Sequence, residues 1–208
     1  MIIEANTDSL SIADAWDRTP ISEIESLSKY PVSLIADAHH RLNVMSSSIQ
    51  LVTPRRHLAG NVLPITSREG DNLAIHRALD DARPGDVLVV NSMGDTNRAC
   101  FGGILGELCI QRKIAGVVID GATRDVSELQ SQGLPVFARG ISPAGPFKYG
   151  PGRIGFPVAC GNVVCQPGDA IFGDADGVVV IPRSQLEEAL DRVKAQQVVE
   201  ESILERIG

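Results

Sequence analysis

Two strand-like runs, Asp86-Val87-Leu88-Val89-Val90-Asn91 and Val117-Val118-Ile119-Asp120, flank an amphipathic helical stretch at residues 104–113. Each run is apolar at consecutive rather than alternate positions, the pattern of a strand covered on both faces. Such strands separated by a helix belong to an α/β fold, whose ligands bind beyond the carboxyl ends of the strands. The corners that follow the two runs are therefore where chemistry is to be sought.

The second corner reads Asp120-Gly121-Ala122-Thr123-Arg124-Asp125, with Glu128 three residues on. If Asp125 opens a helix, Asp125 and Glu128 are i,i+3 neighbours on one face. Two carboxylates so placed can share a hard divalent cation through oxygen ligands. Arg124 adds a planar, permanently charged donor for an oxyanion. The same residues also read as a capping box, Asp125 at the N-cap and Glu128 at N3 ahead of Leu129, with Arg124 in a surface ion pair of little worth. On these residues alone, capping is the simpler explanation.

The first corner shifts that balance. Ala99-Cys100-Phe101-Gly102-Gly103-Ile104-Leu105-Gly106-Glu107-Leu108 follows the 86–91 run and a polar stretch holding Gly94, Asp95 and Asn97. Glycines at a helix start let backbone N–H groups approach an anion, which the helix dipole also favours. They equally permit close helix–strand packing. One corner offering amides and one offering Arg with carboxylates describe together a pocket for a small carboxylate beside a metal.

Gly103, twenty intervening residues, Arg124-Asp125, two more and Glu128 resemble a pattern of the RraA-like family, and the likeness runs from about Pro31 to Pro182. It takes in the Gly85–Val90 run, Leu134–Gly140, Phe156-Pro157-Val158, Gly161, Pro167-Gly168-Asp169 and Asp174-Ala175-Asp176-Gly177-Val178. That family groups regulators of ribonuclease E activity with 4-hydroxy-4-methyl-2-oxoglutarate aldolases. The resemblance implies a swivelling β/β/α-type fold, as a homotrimer or a dimer of trimers with the pocket at the interface. It further implies a class II pyruvate aldolase site dependent on Mg²⁺ or Mn²⁺, which in some members decarboxylates oxaloacetate. Carried over, Asp125 is the metal ligand, Arg124 meets the keto or enolate oxygen, and the loop Gly102, Gly103, Ile104 and Leu105 holds the pyruvate carboxylate. The well-characterised aldolases carry Asp where this chain has Gly103, and the resemblance to other RraA-like proteins implies that Glu128 supplies the missing carboxylate. The alternative implied role is non-catalytic inhibition of ribonuclease E. A methyltransferase label attached to relatives finds no glycine-rich strand–turn–helix near the N-terminus with a downstream acidic residue to support it.

Other candidates carry less. His39-His40 and His76 fall on expected helices, Val32–Val44 and Asp71–Ala82, where packing is the default role, although the second helix can approach the pocket. Asp174-Ala175-Asp176-Gly177 resembles part of a calcium loop but lacks the later glutamate, so a tight turn is expected. Asp95 and Asn97 lie on the loop ahead of the glycines as possible pocket lining.

A formal charge of −7 argues against tracking nucleic-acid phosphates. Cysteines 100, 109, 160 and 165 show no zinc spacing and read as reduced thiols of a cytoplasmic protein. No apolar run approaches a membrane span, and the N-terminal order is not that of a signal peptide. At 208 residues a single domain is expected, with residues 1–20 a loose arm and 184–207 one charged helix carrying Leu186, Leu190, Val193, Val198 and Ile203 on a stripe. The Gly- and Pro-rich segment 140–155 is expected to be a loop bordering the site or a subunit contact.

Overall fold

The computed structural model describes residues 5–54 and 57–207. It opens with β1 (Leu10–Ile12), α1 (Ile21–Leu27), α2 (Val32–Ala38), β2 (Gln50–Leu51) and β3 (Leu58–Ser67). The central part is α3 (Leu73–Asp81), β4 (Asp86–Asn91), β5 (Ala99–Phe101), α4 (Gly103–Gln111), β6 (Gly116–Thr123), α5 (Val126–Gln132) and β7 (Val136–Ile141). Short strands follow, β8 (Gly152–Ile154), β9 (Val158–Cys160), β10 (Val163–Cys165), β11 (Ala170–Asp174) and β12 (Gly177–Ile181), before the long α6 (Leu186–Ile207).

The main sheet has the order β1-β8-β3-β4-β6-β7-β2. Its centre, β3-β4-β6-β7, is parallel, as consecutive apolar runs demand. Alternate residues of β4 separate to the two faces. Leu88 and Val90 join Ile75, Leu79, Leu105, Ile119 and Leu129 on one side, under α3, α4 and α5. Val87 and Val89 join Val118, Phe137, Val158 and Val163 on the other, beneath the β9–β10 hairpin. A third cluster packs α1, α2 and the start of α6 on β11 and β12. Burying one such Val, Leu or Ile contributes roughly 1.5–3 kcal/mol, whereas an exposed ion pair contributes about 1 kcal/mol or less. The corners that follow β5 and β6 are therefore fixed by the core beneath them.

The α/β expectation holds, with differences at the edges. The helix expected over Val32–Val44 stops at Ala38, because His40, Arg41 and Asn43 take left-handed φ values of 58°, 61° and 55°. Val44 then bridges to Val179, and Leu42 is exposed. Residues 1–4 of the expected arm lie outside the described residues, but Leu10–Ile12 within it is a strand paired in parallel with β8. That partner lies in the expected 140–155 loop and also pairs antiparallel with β3. Three-residue strands such as these carry too few alternations to be read from periodicity. The stripe on α6 packs only as far as Val193, and Val198 and Ile203 are exposed. Asp174-Ala175-Asp176-Gly177 is the expected turn, joining β11 to β12 with Asp174 paired to Gly177.

Candidate functional site

Strand β5 ends at Phe101, in parallel register with the end of β6. The Phe101 carbonyl accepts from the Arg124 backbone N–H (3.0 Å) and from the Thr123 hydroxyl (3.3 Å), which ties the two corners together. Gly102 precedes α4, and Asp125 occupies the N-cap position of α5.

Asp125 is not a capping residue in the sense the sequence suggested. Its backbone is left-handed (φ 56°, ψ 40°), a conformation Asp tolerates better than most residues, and its side chain makes no cap hydrogen bond. Instead Oδ2 crosses to the first corner and accepts the Gly103 N–H at 3.1 Å, with Arg124 Nε 3.3 Å away. Oδ1 has no protein partner among the described residues. The carboxylate is held by one oxygen and offers the other.

Gly102, Ile104, Leu105, Arg124 and Asp125, all expected site residues, line one cavity of about 100 Å³. Gly103 and Glu128, also expected there, are not on its wall. The reason is the orientation of α5, whose Leu129 and Gln132 face α4 and close on Gly106. Glu128 belongs to that side, and its carboxylate lies against the bare Cα of Gly103, where any Cβ would overlap it. Gly102 is similarly constrained, since a Cβ there would meet Asp125 Oδ2 at 2.5 Å and Arg124 Cγ at 3.0 Å. The Gly103 amide, expected on a substrate carboxylate, is already bonded to Asp125. The first-turn amides of Ile104 and Leu105 have no intrahelical carbonyl and remain for an anion.

Glu128 thus fills the volume that a side chain at 103 would need. Gly103→Asp is expected to destabilise the fold by about 1–3 kcal/mol through overpacking. Adding Glu128→Gly should recover most of that loss, as contacting positions couple. Thermal unfolding of the two single variants and the double checks this; simple additivity would mean that the two side chains do not compete.

The remaining wall comes from the 71–82 helix and the 140–155 segment, both of which the sequence allowed near the site, though none of these residues was assigned to it. His76 and Asn72 come from α3 and its N-cap, and Pro146 and Lys148 from the loop before β8. Among the described residues His76 Nδ1 and Asn72 Oδ1 are buried without a hydrogen-bond partner. Burial, then the neighbouring Lys148 charge, push the His76 pKa down from 6.5 to about 4. The unfolded chain therefore takes up that proton first as pH falls from about 6.5 towards 4. Stability should fall over this window, with His76 contributing about 2 kcal/mol of loss between pH 7 and pH 5. Denaturant titrations of wild type and His76→Gln check it, and equal pH slopes would contradict it.

Several other candidates lie away from the cavity. Asp95 binds the Asn97 backbone N–H (2.9 Å) and side-chain amide (3.0 Å) within its own loop. His39 is buried 3.3 Å from Asn43, and neither it nor His40 lines the cavity. All four cysteines are buried and free, and burial pushes the Cys100 thiol up to about 12. No cluster of three or more His, Cys, Asp or Glu among the described residues can hold a metal. The available donors are carboxylate oxygens, one or two of them, partly open to solvent. That set fits Mg²⁺, which binds through few carboxylates and keeps other positions for water and substrate, and does not fit a structural zinc.

No helix of the described residues is long and apolar enough to cross a membrane. Residues 14–180 match the RraA-like family, described as Aldolase/RraA. A protein of Halalkalibacterium halodurans named "Putative 4-hydroxy-4-methyl-2-oxoglutarate aldolase" is 37% identical over 184 residues, covering 87% of this chain and 88% of its own length. Streptomyces coelicolor RraAS2, described as an unusual member of the RNase ES inhibitor RraA protein family, superposes with a TM-score of 0.80 at 27% identity, covering 91% of this chain and 100% of its own. A Geobacillus kaustophilus structure named as an S-adenosylmethionine: 2-dimethylmenaquinone methyltransferase has a TM-score of 0.69 at 30% identity, covering 74% of this chain and 95% of its own. With the family matched over residues 14–180, a 37% identical relative over most of both chains and a shared fold, the chain belongs to the RraA-like family.

Proposed function

We propose that this protein is a divalent-metal-dependent carbon–carbon lyase acting on 2-oxo acids. Its substrates would be 4-hydroxy-2-oxo acids of the 4-hydroxy-4-methyl-2-oxoglutarate type, oxaloacetate, or both. The observation that carries the reading is the convergence on one cavity of Asp125 with a free Oδ1, the Arg124 guanidinium and the first-turn amides of Ile104 and Leu105.

Cleaving the C3–C4 bond of such an acid leaves an electron pair beside the 2-keto group, tolerable only if charge moves onto oxygen as an enolate. Asp125 would hold Mg²⁺ or Mn²⁺, which when bound supplies Lewis-acid polarisation of the keto oxygen, while Glu128 lies against Gly103 and off this wall. Arg124 stands beside Asp125 and presents a second positive group where negative charge develops; such preorganised donors are usually a large catalytic contribution. The Ile104 and Leu105 amides hold the C1 carboxylate at the positive end of α4. Phe101, Ile104, Leu105 and Pro146 supply apolar wall that limits water near the developing charge. In decarboxylation the leaving group is CO₂ and the carbanion carbon then takes a proton to give pyruvate. In retro-aldol cleavage the 4-hydroxyl must also lose its proton as C4 becomes a carbonyl.

The test is pyruvate release from oxaloacetate and from 4-hydroxy-4-methyl-2-oxoglutarate, with Mg²⁺ or Mn²⁺ and then with chelator. Release that chelator abolishes supports the reading, and release indifferent to chelator contradicts it. A second reading, inhibition of a ribonuclease E-type enzyme, draws on the named role of the Streptomyces relative and on the −7 charge, which suits a basic partner surface. Inactivity with both substrates, together with inhibition of that nuclease, would favour it. A cavity of about 100 Å³ suits an acid of a few carbons better than a nucleoside-sized methyl donor.

A further inference from the structure

Arg124 is held in place by a loop as well as by its own strand. A Cβ at Gly145 would meet Arg124 Nη1 at 2.6 Å, so the guanidinium packs on the bare Cα of that glycine. Gly145 belongs to the segment 142–150, whose Pro146 and Lys148 line the cavity. One end of the segment is tied beside Arg124 itself. Ser142 N–H donates to the Thr123 carbonyl and Ala99 N–H to the Ala144 carbonyl, both at 3.0 Å. The other end is tied to the start of α3.

That second tie is built on one carboxylate. Asp71 is fully buried, lies two residues ahead of α3 and is not among the residues that line the cavity. Its Oδ2 accepts the Tyr149 and Gly150 N–H groups at 2.7 and 3.1 Å, and its Oδ1 accepts the Leu73 N–H at 2.9 Å. Arg68 Nη2 stands 3.9 Å away, too far for a hydrogen bond, so backbone amides satisfy the carboxylate. Burying such a group is costly unless hydrogen bonds compensate it, and bonds to a carboxylate are of the stronger kind. Around it the two segments form a short parallel bridge of Asp71 with Phe147. Phe147 N–H donates to the Gly70 carbonyl (2.8 Å) and Asn72 N–H to the Phe147 carbonyl (3.0 Å). Arg98 adds a further hold, stacking on Phe147 (4.4 Å to the ring centroid) and donating to the Gly145 carbonyl.

We infer that Asp71 is a positioning residue for Arg124: by latching residues 147–150 to α3 it seats Gly145 against the guanidinium and fixes that group at the cavity. Asp71 touches no reacting atom and acts only through the loop. Without its carboxylate the Leu73, Tyr149 and Gly150 amides lose their acceptor, and the segment must loosen to bring them to water. This rests on the 2-oxo acid reading of the cavity and adds to it what holds the proposed donor in place.

Three variants of the full chain test it. Asp71→Ala removes the latch. Gly145→Ala keeps the latch but displaces the guanidinium, at little cost to the fold because the end of a flexible side chain is what must move. Asp169→Ala is the control, since Asp169 is likewise buried, accepts the Gln166 and Arg183 N–H groups (2.9 and 3.0 Å) and lies off the cavity. Pyruvate dissociation constants are measured by calorimetry with saturating Mg²⁺, and amide exchange over residues 142–150 by mass spectrometry. Asp71→Ala is expected to speed exchange at Tyr149 and Gly150 about 10-fold or more and to weaken pyruvate about 5–10-fold. Gly145→Ala should weaken pyruvate to a similar extent without speeding that exchange. Asp169→Ala should lower the unfolding temperature yet leave both readouts within about twofold of wild type. Unchanged exchange in Asp71→Ala, or a loss of pyruvate affinity shared equally by Asp169→Ala, would overturn the inference. If Asp71→Ala does not fold, Gly145→Ala decides: wild-type affinity for pyruvate there overturns the seat on which the inference depends, and weakened binding supports it. Failure of wild type to bind pyruvate would instead remove the 2-oxo acid reading, while the exchange result still reports on the latch.

Discussion

Asp125→Asn is expected to cut metal-dependent pyruvate release by about 10³-fold, roughly 4 kcal/mol of barrier, while leaving the fold intact. Asparagine is close in shape, tolerates the left-handed backbone of this position (φ 56°) and can still accept the Gly103 N–H. What it lacks is the anionic Oδ1 that would hold a divalent cation. Asp125→Ala should be as inactive but also less stable by about 1–2 kcal/mol, since alanine is strained where φ is positive. Comparing activity and thermal unfolding of the two variants separates the charge from the backbone. Substantial turnover in Asp125→Asn at saturating Mg²⁺ would show that the carboxylate serves the corner rather than the chemistry.

The second large effect concerns Arg124. Arg124→Ala should lower kcat by about 10²–10³-fold, the loss of one preorganised donor to a developing oxyanion. Little stability should go with it, because the Arg124–Asp125 pair is about one-third exposed and worth about 1 kcal/mol or less. Arg124→Lys should recover only part of the rate, because an ammonium does not reproduce the planar fork that lies against Gly145. A change confined to KM would mean that Arg124 binds substrate and transition state equally.

The central parallel strands were legible because they are buried on both faces, and α3 and α6 because they have the helical period. Strands β1, β2, β5 and β8, of two or three residues each, are set by pairing to distant segments and leave almost no local signal. At the site, the glycine corner and the Arg124-Asp125 pair could be read because strand ends, glycine turns and charges are local features. Glu128 was placed beside Asp125 from its i,i+3 spacing and the family resemblance, but its carboxylate lies against Gly103 rather than on the cavity wall. The 71–82 helix and the 140–155 segment were each allowed near the pocket, but that His76, Asn72 and Lys148 share one wall was out of reach, because these segments meet through hydrogen bonds between residues 70–72 and 147–150.

The measurement closest to the central claim needs no knowledge of the natural substrate: exchange of the pyruvate methyl protons with deuterated solvent, followed by proton NMR. On the proposed reading the enolate would also form from pyruvate, by the reverse of the step in which its carbon takes up a proton. Exchange should therefore appear with Mg²⁺ or Mn²⁺, vanish with chelator and be lost in Asp125→Asn. Exchange that persists unchanged in chelator, or wild-type protein at full metal occupancy that catalyses none, would contradict the account.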